Sequence, residues 1–150
     1  PPRFFFAFCV GFYTSLVLPH FEGSVWGSQK YEFCITEMVR IGVHWGAQQE
    51  TFYGLSGLGD LIATCNSPFS RNYQVGYQLA GGRNLQEILA NLQGAAEGIN
   101  TTTVLKQCSQ RGDISMPITE QVYCLLQAQV TPKEALEGLM LRDIKPEYQQ

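Results

Sequence analysis

The 150-residue chain contains no G-x-G-x-x-G run and no strand-turn-helix unit around its glycines. It therefore has no loop of the kind that holds a dinucleotide pyrophosphate against a helix N-terminus. No C-x-x-C pair occurs, and neither of its two histidines, His20 and His44, lies near a cysteine at zinc-like spacing; no metal site is expected. Lys and Arg never run together and the net charge is −3. That excludes a general nucleic-acid surface, because phosphate backbones are bound by clustered cations. The one long apolar run, Phe4 to Leu18, includes Tyr13, Thr14 and Ser15 and is short for a membrane span. It is closer in length to a signal-peptide core, but no small-x-small cleavage site follows, so none is expected. The five cysteines, Cys9, Cys34, Cys65, Cys108 and Cys124, are odd in number. They are read as buried free thiols in a reducing, cytoplasmic setting.

What the chain does have is length for one compact domain, with 45% hydrophobic and 15% charged residues. Residues 1–34 stand apart: seven of the nine Phe lie there, and the only charges are Arg3, Glu22, Lys30 and Glu32. From Ile35 the periodicity is helical. Ile35, Met38, Val39, Gly42 and Val43 form one face, with Glu37 and Arg40 turned outward and Gly46 closing the helix. Short helices are expected over Gln48 to Leu55 and Leu58 to Cys65. Ser70 caps the next, with Tyr73, Gly76, Tyr77 and Ala80 on one face and Gly81-Gly82 as its stop. Asn84 and Glu87 form a capping-box-like start before Leu85, Ile88, Leu89 and Leu92. Thr101 to Arg111 places Val104, Leu105 and Cys108 together. Pro117, and then Thr131-Pro132-Lys133-Glu134, open the last two helices. No alternating strand pattern appears after Ile35, so the expected class is all-α, a compact bundle of seven or so helices without a Rossmann sheet.

The densest chemistry lies in Gly54 to Asn72, GLSGLGDLIATCNSPFSRN. Gly54, Gly57 and Gly59, with Ser56 among them, give a permissive backbone that delivers Asp60 into the apolar run Leu61-Ile62-Ala63. An acid so placed needs a partner or a task. Ser70, Arg71 and Asn72 then bring a hydroxyl, a guanidinium and an amide to one helix start, a combination that suits a phosphate. Plain packing and a plain cap explain the same residues. Gly94-Ala95-Ala96-Glu97-Gly98 is similarly a place for close ligand approach or simply a tight turn. His44, Trp45, Tyr73 and Tyr77 read as packing or interface residues, and Glu120, Glu134 and Glu137 as solvated helix faces.

The strings ITEMVRIGVHWGA, ETFYGLSGLGDLIATC, SRNYQVG, AAEGINT and MPITEQVY resemble, in order and separation, the C-terminal helical domain of the NAD(P)-dependent glycerol-3-phosphate dehydrogenases. The likeness is nearest to the bacterial, particularly cyanobacterial, branch and covers about Ile35 to Glu147. It implies a fold like the 6-phosphogluconate dehydrogenase C-terminal-like domain, and residues 1–34 are set apart as not matching. The resemblance gives Asp60 and Thr64 a place beside the catalytic lysine and substrate. It gives Ser70, Arg71 and Asn72 the substrate phosphate, and Arg71, Ala95 and Glu97 the cofactor, NAD or NADP, which would be held with a partner nucleotide-binding domain.

The substrate pair implied is glycerol 3-phosphate and dihydroxyacetone phosphate, in the supply of glycerophospholipid precursors. Counting back from Asp60, the family's lysine and asparagine would fall near positions 7 and 8, where this chain has Ala7 and Phe8. Without that lysine and the glycine loop, the chain is expected to be inactive alone. A non-catalytic helical module is the alternative, and the choice between NAD and NADP, and between monomer and homodimer, stays open.

Overall fold

The computed structural model describes residues 29–141. Among these residues there is no strand. Seven α-helices follow in order: α1 (Gln29–His44), α2 (Asp60–Cys65), α3 (Arg71–Ala80), α4 (Leu85–Asn91), α5 (Glu97–Gly112), α6 (Pro117–Leu126) and α7 (Pro132–Met140). A 3-10 turn (Gln49–Tyr53) and a π turn (Leu55–Gly59) lie between α1 and α2.

Most boundaries follow from local chemistry. Ser70 Oγ accepts from Tyr73 N at 3.4 Å, and Asn84 Oδ1 from Gln86 N at 2.8 Å. At α7 the capping box is complete: Glu134 N donates to Thr131 Oγ1, while the Glu134 carboxylate accepts from Thr131 N and its hydroxyl. Asn84 caps α4 without Glu87 reaching back, so that box is only half formed. Pro117 and Pro132 stand in the first turns of α6 and α7, where a missing N–H costs nothing.

The core gathers Cys34, Ile35, Met38 and Ile41 of α1 with Leu61, Cys65, Val75, Ile88, Leu105, Val122 and Leu136. Helix α1 touches the 3-10 turn, the π turn and α6; α5 packs on α6, α6 on α7, and α3 on α4. Residues 29–34 run into 35–44 as one helix, with Cys34 and Ile35 both buried. Residues 1–28, including Ala7, Phe8 and Cys9, lie outside the described residues.

Side-chain orientations on three helices differ from the sequence expectation. Glu37 points inward and is only 5% exposed, while Val43 is turned out; the buried stripe of α1 runs through Cys34, Met38 and Ile41, and Glu37 sits on its flank. On α3 the inward residues are Val75, Gly76 and Leu79. Tyr77 stands exposed and stacks on Tyr73, ring centroids 6.2 Å apart. On α5, Leu105 is buried but Val104 is exposed.

Candidate functional site

The glycine-rich stretch becomes a π turn rather than the start of an α-helix. Gly59 N donates to Gly54 O at 3.3 Å, a bond spanning five residues. The cause is steric: a Cβ on Gly57 would collide with the backbone of Phe52, so only glycine lets the two strands of backbone touch. The Phe52 ring in turn lies against Gly42 of α1. Single π turns recur where backbone geometry serves a site.

This turn leads into α2, whose Leu61 and Cys65 are 1% and 0% exposed. Asp60 therefore faces solvent at the first helical position, and Thr64 follows one turn later on the same side, half-buried. Among the described residues the Asp60 carboxylate has neither a hydrogen bond nor an ion pair.

Two short turns carry the chain from α2 to α3. Ser67 N donates to Thr64 O at 3.4 Å and Ser70 N to Ser67 O at 3.1 Å, while Gln74 Nε2 reaches back to Pro68 O at 2.9 Å. Arg71 and Asn72 then open α3. The Arg71 guanidinium lies against the backbone of Gly94, which has φ +91°. A side chain at Gly94 would be strained and would strike Arg71. The start of α3 is thereby joined to the turn that carries Ala95 and Glu97.

Helix α5 begins there without a side-chain cap, since its N-cap is Ala96. Glu97 is its first residue and is exposed. Asn72 adds an unusual feature: its Oδ1 is buried and accepts no hydrogen bond, a state that costs about 1–3 kcal/mol until a donor arrives. The Arg71 guanidinium thus lies against Gly94, one residue before Ala95, and Asp60 and Thr64 share one face of α2.

Glu37 is the residue that sequence reasoning missed. Its carboxylate accepts from Ile118 N, from Thr119 N at 3.2 Å and from Thr119 Oγ1 at 3.0 Å. Burial pushes its pKa up to about 7, against the opposing pull of those hydrogen bonds and of the Arg40 charge. Arg40 itself donates to Ser115 O at 2.5 Å. Two signals were present: Glu37 is four residues from Ile41, and α6 opens on Met116, which offers no capping oxygen.

The sequence pattern of the family described as NAD-dependent glycerol-3-phosphate dehydrogenase C-terminus matches residues 7–137. The chain belongs to that family. The matched span begins upstream of Ile35. A glycerol-3-phosphate dehydrogenase [NAD(P)+] of Trichormus variabilis is 71% identical over 114 residues, 76% of this chain and 37% of the relative. One from Acaryochloris marina is 61% identical over 113 residues, 75% of this chain and 36% of that protein.

The crystal structure of glycerol-3-phosphate dehydrogenase from Coxiella burnetii superposes with a TM-score of 0.81 at 33% identity, covering 93% of this chain and 42% of that one. The yeast glycerol-3-phosphate dehydrogenase shares the fold, at TM-score 0.69 and 24% identity over 91% of this chain and 39% of that one. The all-α reading and the resemblance drawn from the five motifs both hold. The helical domain corresponds to the C-terminal part of these longer proteins, and the chain spans little more than a third of the length of the curated relatives it matches.

Proposed function

We propose that this domain is the substrate-holding part of an NAD(P)-dependent glycerol-3-phosphate dehydrogenase, interconverting glycerol 3-phosphate and dihydroxyacetone phosphate only together with a dinucleotide-binding part. The observation that carries the reading is the contact of the Arg71 guanidinium with Gly94. It joins a capped helix start bearing Ser70, Arg71 and Asn72 to the uncapped start of α5 behind Ala95 and Glu97. A permanently charged planar fork between two helix N-termini suits a phosphate dianion.

Each residue then has a task. Ser70 and Arg71 hold the phosphate. Asn72 shares that end of the substrate, its buried Oδ1 suited to a substrate hydroxyl. Asp60, without a partner among the described residues, holds a neighbouring ammonium charged and in place, and Thr64 beside it contacts the substrate. Ala95 is small enough to let a dinucleotide approach, and Glu97 accepts from a ribose hydroxyl.

NAD or NADP supplies hydride exchange when bound. The residues here fit the nicotinamide end of that cofactor only, because no stretch of the chain offers a pyrophosphate-binding glycine loop. The alternative, a non-catalytic binding module, draws on Leu55 and Phe69, which are 91% and 89% exposed beside the same segment. Calorimetry separates the two. Glycerol 3-phosphate should give weak binding heat with the chain and none with Arg71→Ala; equal heats from both proteins would overturn the reading.

A further inference from the structure

We propose that Glu37 is a proton-linked latch: its buried carboxyl group fastens α1 to the first turn of α6, and loss of its proton weakens that junction. The geometry begins with the donors of α6. An α-helix leaves its first N–H groups without internal acceptors. In α6 the first residue is Pro117, which has no N–H, and Glu120 N is already bonded to Met116 O at 3.0 Å. Ile118 N and Thr119 N remain, and both donate to Glu37, from a helix about eighty residues away in sequence. Thr119 Oγ1 supplies a third bond. One carboxyl group therefore does the work that the neighbouring Ser70 and Thr131 do at α3 and α7, but across a tertiary contact and in the core.

Burial makes this arrangement sensitive to protons. Among the described residues Glu37 has no ion-pair partner. Arg40, on α1, acts on it as a positive charge and donates to Ser115 O. On α6, Glu120 is turned to Lys106 of α5, and those two charges answer each other. His44, further along α1, lies by Gly112 at the end of α5.

An ionised carboxylate at 5% exposure is favoured by the hydrogen bonds from Ile118 and Thr119 and by the Arg40 charge, but the desolvation outweighs them, so the pKa rises from 4.5 to about 7. When the junction opens, Glu37 meets water and its ordinary pKa returns. The closed state thus holds a proton that the open state has lost between those two values, and the closed state is weakened as pH rises through that window. Helix α1 also carries Gly42, against which Phe52 rests. The latch therefore lies on the helix that supports the turn delivering Asp60.

Hydrogen exchange of the Ile118 and Thr119 amides in the full chain tests this, after correction for intrinsic rates. Their opening constant should rise on the order of a hundredfold from about pH 4.5 to about pH 8, while that of Ile88 in α4 does not. Glu37→Gln should abolish the rise. An equal rise in Glu37→Gln, no rise in the natural chain, or a rise shared by Ile88 would overturn the proposal. If Glu37→Gln does not fold, the carboxyl carbon-13 resonance of Glu37 in the natural chain decides: titration near 7 supports the latch, and titration at an ordinary glutamate value overturns it.

Discussion

Two glutamates in this domain do the same job with opposite consequences. Glu37 and Glu134 each accept hydrogen bonds at a helix start, yet the pKa of Glu37 is raised and that of Glu134 lowered. The difference is solvent. Glu134 stays fully exposed, so the bonds from Thr131 N and the Thr131 hydroxyl outweigh a smaller desolvation cost and hold its carboxyl below the usual range. Its contribution to stability is present above the ordinary glutamate pKa and fades as pH falls through the lowered one; that of Glu37 is present in acid and fades as pH rises toward 7.

Gly94 and Gly82 make a second pair. Both have positive φ, +91° and +83°, but only Gly94 has Arg71 against it, whereas nothing lies near a Cβ at Gly82. Alanine at either site should cost about 1–2 kcal/mol in urea unfolding from the left-handed backbone. Gly94→Ala should in addition displace Arg71 and weaken glycerol 3-phosphate binding, while Gly82→Ala leaves it intact. Equal binding by the two variants would separate Arg71 from the ligand.

At the scale of the element, the capped helices were legible and the π turn was not. Ser70, Asn84, Thr131, Pro117 and Pro132 announce helix starts by side chains that satisfy or remove an N–H locally, within three residues of sequence. The Gly54 to Gly59 segment read as the lead-in to an ordinary helix because its shape is set by the backbone of Phe52 pressing on Gly57, a contact with no periodicity to betray it. Glu37 was misread for a related reason: its partners lie on α6, and a charged residue beside an apolar stripe looks solvated until the facing helix is known to lack a cap. The proposed site was legible as residue types, and the meeting of Arg71 with Gly94 was not, since it depends on how α3 and the turn before α5 are placed. Helix α2, six residues long, cannot stand by propensity. It is held by Leu61 and Cys65, and Leu61→Ala should cost about 2–5 kcal/mol in urea unfolding. Its effect should fall first on the amides of 55–65 by hydrogen exchange; uniform loss of protection would show that α2 is not a separately anchored element.

At the scale of the whole molecule, the seven α-helices among the described residues build a bundle in which the proposed site residues lie on one run, Asp60 to Asn72, and on the turn before and first residue of α5. The family relatives are far longer than this chain, and the charged groups of Asp60, Arg71 and Glu97 have no ion-pair partners among the described residues. A domain that contributes part of a pocket would leave such charges free for what completes it. Amide chemical shifts of the isotope-labelled chain, followed while glycerol 3-phosphate is added, test this most directly. The changes should concentrate together in residues 70–73 and 94–98. Changes confined to one of those segments, or spread over the bundle without favouring either, would contradict a shared phosphate-holding junction.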